Sequence, residues 1–333
     1  MEVPCGKCLG CKLEYSRQWA VRLTHESSYW DYDKQHFITL TYNNEHLPPT
    51  GSLVKSDFQK FMKRLRRHHT KEYGYPDLNW KGEPTIHYPM KFFHAGEYGK
   101  KCLNCGKSKF YHGTNSECQN WSETIGRPHY HAILYGSQFP DMEVKEKSDS
   151  GSLMYESETL NKLWTDSSTG KPIGFATIGD VTFESCSYVA RYVTKKIYGS
   201  DAHEHYKKPL EIDKETGEVT KFLELQKEYV TMSRGNRYNP QNAIGIQQYQ
   251  DWHTDMYPHD RVAMVRNKAT ILMKPPRYYD KLLEKQDEDL YNEIKNNRLK
   301  KAKESKDNTP LRREAKAKVL ASRAKTLIRQ LDT

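Results

Sequence analysis

The period of the apolar positions along this chain switches repeatedly between two and about 3.6, and each switch predicts an element. Short apolar, β-prone runs at 37–42, about 88–97, 129–136 and Gly174–Thr182 predict strands, and Gly136 closes the third. The run Glu228–Gly235 reads as a further strand or a loop. Helical spacing covers Leu13–Tyr29, Ser56 to about His69, about 156–165, and Glu184–Tyr198. In the second of these, Phe58, Phe61, Met62 and Leu65 face inward, and Lys60, Lys63, Arg64, Arg66 and Arg67 form a basic stripe. Leu47–Gly51 is a turn and 141–152 a loop. Residues 199–222 are a charged, turn-rich β-excursion, and 240–285 are ordered, with Trp252, Tyr278 and Tyr279 available for packing. No internal repeat is apparent. From about Lys281 the chain is charged and helix-prone, a pattern that predicts a solvated helix or disorder.

Candidate chemistry sits on two of these elements. In Arg127-Pro-His-Tyr-His131, side chains two apart on a strand point the same way, so His129 and His131 project together. Two converging imidazoles can hold a divalent cation, although two histidines on a half-exposed strand need no metal. Glu97, at the end of Lys91–Gly99, is the preferred oxygen ligand, with a solvated turn acid as the alternative; His94 is a weaker candidate. One carboxylate with two imidazoles leaves positions for water and a phosphate oxygen, and suits Mg²⁺ or Mn²⁺.

The second element is Ser187-Tyr-Val-Ala-Arg-Tyr-Val-Thr-Lys195, where Tyr188, Tyr192 and Lys195 share one helical face. Aromatic core packing explains such a pair of tyrosines, but a lysine on the same face is an awkward core residue and a useful partner for a phosphate or phenolate. A free phenol has a pKa near ~10, and a nearby cation lowers it. Metal, phenol and phosphate together point to a covalent 5′-phosphotyrosine intermediate with a freed 3′-hydroxyl. A second tyrosine lets one hold the parental end while the other cuts the regenerated junction.

These residues resemble the HUH-type rolling-circle replication initiators, and most closely those of Microviridae of the gokushovirus type. The resemblance rests on Val3–Cys11 through Ser16–Ala20, Phe37–Tyr42, Gly96-Glu-Tyr-Gly99 with Arg127–His131, and Tyr188-x-x-x-Tyr192-x-x-Lys195, with Lys274–Asp280 of similar character. It implies an α+β fold, a central antiparallel sheet of four or five strands with flanking helices (an RRM-like or ferredoxin-like core). It also implies His129 and His131 as metal ligands and Tyr188 and Tyr192 as nucleophiles. About twenty-seven residues separate Gly99 from Arg127, where relatives are expected to have a short link.

Charge is consistent with a nucleic-acid partner. The 333 residues carry a net +10 and 12% aromatic side chains, and residues 281–333 hold 15 Lys/Arg against 9 Asp/Glu. Arg17, Trp19 and Arg22 are candidate DNA contacts on the first helix, a solvated face being the equal alternative. Ser233 and Arg234 are candidate phosphate contacts. No run reaches the ~18 apolar residues of a membrane span, and no signal-peptide core opens the chain, so cytoplasm of a bacterial host is expected.

Seven cysteines are then expected to stay reduced. Cys5, Cys8 and Cys11 form three-quarters of a structural zinc site, with His25, the later insert or nothing as the fourth ligand. Cys102, Cys105, His112 and Cys118 form a second candidate zinc set, and Cys186 reads as buried packing. The expected organisation is a domain over 1–285 with its cysteine cluster in 1–30 and an insert at 100–126, followed by a basic tail at 286–333. The expected function is site-specific nicking and joining of single-stranded DNA at a viral plus-strand origin. No Gly-x-x-x-x-Gly-Lys-Ser/Thr loop is present, so host helicase and polymerase are the expected partners. A relaxase or single-strand transposase with the same chemistry is one alternative. A non-catalytic, zinc-stabilised DNA-binding regulator is the other.

Overall fold

The computed structural model describes residues 4–99, 126–147, 151–192, 202, 205–212, 216, 219–266 and 269–326. The chain forms two compact units. One is built on a sheet and takes in Asp31–Val181 and the later stretch ending at Met232. The other is mainly helical and takes in the chain up to Trp30, the segment from Thr182, and the chain from Ser233.

In the sheet unit the strands are β1 (Gln35–Tyr42), β2 (Tyr75–Leu78), β3 (Pro84–His87), β4 (Lys91–Tyr98), β5 (Pro128–Tyr135), β6 (Glu143–Lys147), β7 (Leu153–Glu156), β8 (Gly174–Gly179), β9 (Lys207–Ile212), β10 (Val219–Glu224) and β11 (Tyr229–Met232). Seven of them form one antiparallel sheet in the order β11-β4-β5-β1-β8-β7-β6. Four or five strands were expected. The excess comes from β6 and β7, which extend one edge across 141–152, a stretch expected to be a loop. Glu143-Val-Lys-Glu-Lys147 is exposed throughout. It lacks the alternation that marks a half-buried strand and carries the charges that protect a sheet edge from further pairing.

One sheet face is dry. Ile38, Leu40, Tyr130, Ala132, Leu134 and Ile178 pack there with Phe58, Phe61, Met62 and Leu65 of the helix Lys55–Tyr73. The four inward positions of that helix are the expected ones, while Lys60, Lys63, Arg66 and Arg67 are exposed. Burying a Leu or Phe side chain contributes about 1.5–3 kcal/mol, so this face supplies most of the unit's cohesion. Its central phenols are paired: the Tyr42 and Tyr130 hydroxyls lie 2.8 Å apart, and Tyr130 donates to the Val54 carbonyl at 2.9 Å.

In the helical unit the N-terminal helix Leu9–Ser27 packs against the helix Phe183–Arg191. Val21 joins Tyr249, Tyr257, Val262, Met264, Tyr279 and Leu283 in the core, together with Ile294. The charged segment beyond residue 285 forms the helices Glu288–Glu304 and Pro310–Thr326. Arg298 there bridges Asp280 at 2.8 Å and Asp260, which adopts a left-handed φ of 48°.

Two expected ligand or DNA roles do not survive this packing. Arg22 donates to the Ile244 carbonyl and lies over the rings of Trp19 and Tyr278, at 4.0 and 3.9 Å. Arg17 is paired with Glu14 and donates to the Lys274 carbonyl. Both are therefore built into the unit, and their candidate DNA contacts give way to internal ones. His25 is buried with Nδ1 2.9 Å from the Tyr279 hydroxyl. At about 1.5 Å per residue it stands roughly 25 Å along the helix from Cys8, too far to complete a cysteine site. No described helix is long and apolar enough to cross a membrane.

Candidate metal centre and tyrosine helix

The face of the sheet opposite the dry core gathers Glu97, His129 and His131. Antiparallel pairing sets Glu97 directly across from His129, and His131 lies two residues further along β5 on the same side. Glu97 Oε1 is 2.7 Å from His129 Nε2 and 3.0 Å from His131 Nε2. Glu97 and His131 are fully buried and His129 nearly so, at 13% exposed.

Each imidazole is oriented from behind. His129 Nδ1 lies 3.2 Å from the Arg127 carbonyl, which only accepts, so Nδ1 carries the proton. In a neutral ring Nε2 is then a bare lone pair aimed at a carboxylate oxygen. Such a contact needs a cation between the two atoms, a proton or a metal ion. His131 Nδ1 sits 2.9 Å from Thr39 Oγ1 on β1, the residue paired with His131 in register. Ring nitrogens backed in this way present Nε2 to a metal and fix the tautomer. The three donor atoms lie within 4.8 Å of one another, and one carboxylate with two imidazoles is a donor set that fits Mg²⁺ or Mn²⁺.

His94, the weaker ligand candidate, is on the other face. It stacks on Phe58 and pairs with Thr231 Oγ1 at 3.0 Å, and burial pushes its imidazole well below the usual range. The three-residue offset from Glu97 on a strand places it there.

The register continues the ligand row away from Glu97. Thr41 pairs with His129 on one side and with Phe175 on the other. Phe175 is 63% exposed, so a solvent-facing aromatic ring stands two strands from His129 on the ligand face. Neither Thr39 nor Phe175 was singled out in the sequence. The signal for Thr39 is its phase in β1, where Thr39 and Thr41 alternate with the buried Ile38 and Leu40.

Tyr188 and Tyr192 belong to the helical unit. Thr182 caps their helix with a reciprocal capping box to Ser185. Tyr188 lies in the second turn and Tyr192 at the C-cap, with ring centroids 4.9 Å apart at 83°. Both rings are buried, as is Cys186. Lys195, and the candidate zinc ligands Cys102, Cys105, His112 and Cys118, lie outside the described residues.

Comparison with known proteins adds the biological setting. A family model for the replication-associated protein ORF2 group matches residues 35–112, which include β1 and β4. Replication-associated protein VP4 of Bdellovibrio phage phiMH2K is 31% identical over 258 residues, 77% of this chain and 68% of the phage protein. The chain belongs to the phage replication-associated protein family. Replication-associated protein ORF2 of Spiroplasma virus 4 is 29% identical over 90% of this chain and 74% of its own length. Replication-associated protein ORF4 of Chlamydia phage 1 is 28% identical over 60% of this chain and 40% of its own. No solved structure matches. The family match explains why a basic, tyrosine-rich chain carries a buried carboxylate–imidazole triad.

Proposed function

We propose that this replication-associated protein initiates rolling-circle replication by nicking single-stranded DNA at the phage plus-strand origin and later rejoining it. The observation that carries the reading is the buried triad of Glu97, His129 and His131, with both imidazoles turned toward one carboxylate oxygen. A bound Mg²⁺ or Mn²⁺ would polarise the scissile phosphate and stabilise the charge that develops on it.

The chain's own groups do the rest. The phenol oxygen of Tyr188 or Tyr192 attacks phosphorus, and the bond from phosphorus to the 3′-oxygen breaks. The phenolic proton leaves to solvent, and the departing 3′-oxygen takes one up. The DNA 5′ end stays on tyrosine as a phosphodiester, so its energy is retained for rejoining. Host polymerase extends the freed 3′-hydroxyl while a host helicase opens the duplex. After one circuit, the second tyrosine cuts the regenerated junction. Lys195, on the same helical face by spacing, is proposed to pair with the phosphate or the phenolate.

Single-stranded oligonucleotides tiled across a phage plus-strand origin, incubated with Mn²⁺, test the reading. Denaturing gels are expected to show a covalent protein–DNA adduct that disappears with EDTA and with Glu97→Gln. Tight DNA binding with no adduct on any oligonucleotide overturns the enzymatic reading in favour of a non-catalytic regulator.

A further inference from the structure

A second cluster of ligand atoms lies in the helical unit, on chemistry that the nicking reaction does not use. The Cys5, Cys8 and Cys11 sulfurs lie within 4.8 Å of one another, and Cys5 Sγ and Cys11 Sγ are 3.9 Å apart. Four ligands around zinc at Zn–S of about 2.3 Å are separated by tetrahedral edges of about 3.8 Å. The observed gap therefore matches one edge of such a site. It is far longer than the ~2.05 Å of a disulfide.

The backbone is shaped to gather these sulfurs. Gly6 takes a left-handed φ of 71°, which turns the chain between Cys5 and Cys8. The Cys8 amide donates to Cys5 Sγ at 3.3 Å, an interaction that favours the thiolate. Cys8 is the N-cap of the helix Leu9–Ser27, and Cys11 stands on its first turn, three residues on and on the same face. Cys5 and Cys8 are exposed, so apolar packing does not account for the grouping.

We infer that Cys5, Cys8 and Cys11 bind one zinc ion through three thiolates, and that this ion pins the start of the helix that backs the tyrosine helix. Zinc suits the set because it takes thiolates in a tetrahedron without redox change. Among the described residues no fourth His, Cys, Asp or Glu joins the group, so the remaining position falls to solvent or to a donor outside them. Binding at the helix start removes the fraying expected of an uncapped first turn, since Cys8 makes no side-chain capping bond.

The test uses the intact chain. Protein stripped of metal is treated with iodoacetamide, with and without one equivalent of zinc, and labelling is read by peptide mass spectrometry. Labelling of Cys5, Cys8 and Cys11 is expected to fall to background with zinc and to return with chelator. Unchanged labelling, or oxidation of two of the three to a disulfide in the metal-free chain, overturns the site. A second measurement uses cobalt in a Cys102→Ser/Cys105→Ser/Cys118→Ser background, which silences the other cysteine-rich stretch. The thiolate-to-cobalt charge-transfer band is expected there, and to be lost on adding Cys5→Ser/Cys8→Ser/Cys11→Ser. The proposal fails if the band survives all six substitutions. A thermal melt of each variant reports folding independently of metal.

Discussion

Replacing Thr39 by valine isolates the contribution of the group behind one metal ligand. The two side chains have nearly the same shape, so the strand and its packing are kept while Oγ1 is removed from its place 2.9 Å from His131 Nδ1. In the metal-free chain His131 can carry its proton on Nε2 and donate toward Glu97 Oε1, leaving only an acceptor lone pair on Nδ1. With metal on Nε2, the proton must sit on Nδ1, where valine offers no acceptor. The substitution therefore penalises the loaded form. A buried donor deprived of its partner costs about 1–3 kcal/mol, which corresponds to a Mn²⁺ affinity weaker by roughly 5- to 150-fold. Calorimetric titration of wild type, Thr39→Val and Thr39→Ser measures it. Serine is expected to restore most of the affinity, and the metal-free melting temperature to move little. Equal affinity in Thr39→Val and wild type refutes the reasoning, as does an equal loss in Thr39→Ser.

Three further outcomes are expected. His69 donates from Nδ1 to the Leu65 carbonyl and accepts the Gln138 amide at Nε2, a fully used neutral ring, and burial lowers its pKa to about 4, as it does for His36. Both folded values lie below the ordinary ~6.5, so the unfolded chain binds more protons in between. Stability from these rings is whole above pH ~6.5 and is lost as pH falls toward 4; a melting temperature flat across that window contradicts this, and His69→Gln should shallow the slope. Phe175→Ala is expected to weaken single-stranded DNA binding by roughly 5- to 150-fold, the worth of one base stacked on an aromatic ring, without lowering the melting temperature. Unchanged binding in a filter or anisotropy assay removes Phe175 from the interface. Arg298→Met leaves Asp260 and Asp280 facing each other half-buried and should cost on the order of 3 kcal/mol in urea denaturation. An unaffected midpoint would mean that the helix Glu288–Glu304 does not hold the unit together.

Much of this geometry is local, and the local part was readable in the sequence. The strands bearing Glu97 and His129/His131 announce themselves by apolar runs closed by glycine, and a period of two puts the histidines on one side. The inward face of Lys55–Tyr73 follows from its spacing in the same way. What the sequence hid depends on partners far along the chain. Arg22 has the look of a DNA contact until Ile244 and Tyr278 take it up, more than 220 residues away. His94 differs from Glu97 only in strand phase, which is invisible until the strand's ends are fixed. The edge strand β6 is as charged as a loop because both of its faces meet water. The ring of Phe175 is ordinary in sequence, and only the register of β8 on β1 brings it into the ligand row.

The claim at the centre of this account is that a phenol on Phe183–Arg191 or at its C-cap becomes bonded to DNA with help from the Glu97–His129–His131 centre. Proteolysis of the purified adduct, followed by mass spectrometry of the nucleotide-bearing peptide, tests it most directly. The account predicts a phosphotyrosyl linkage at Tyr188 or Tyr192, formed only with Mg²⁺ or Mn²⁺ and absent from Tyr188→Phe/Tyr192→Phe. A linkage mapped to any other residue, or one that persists in the double variant, contradicts it.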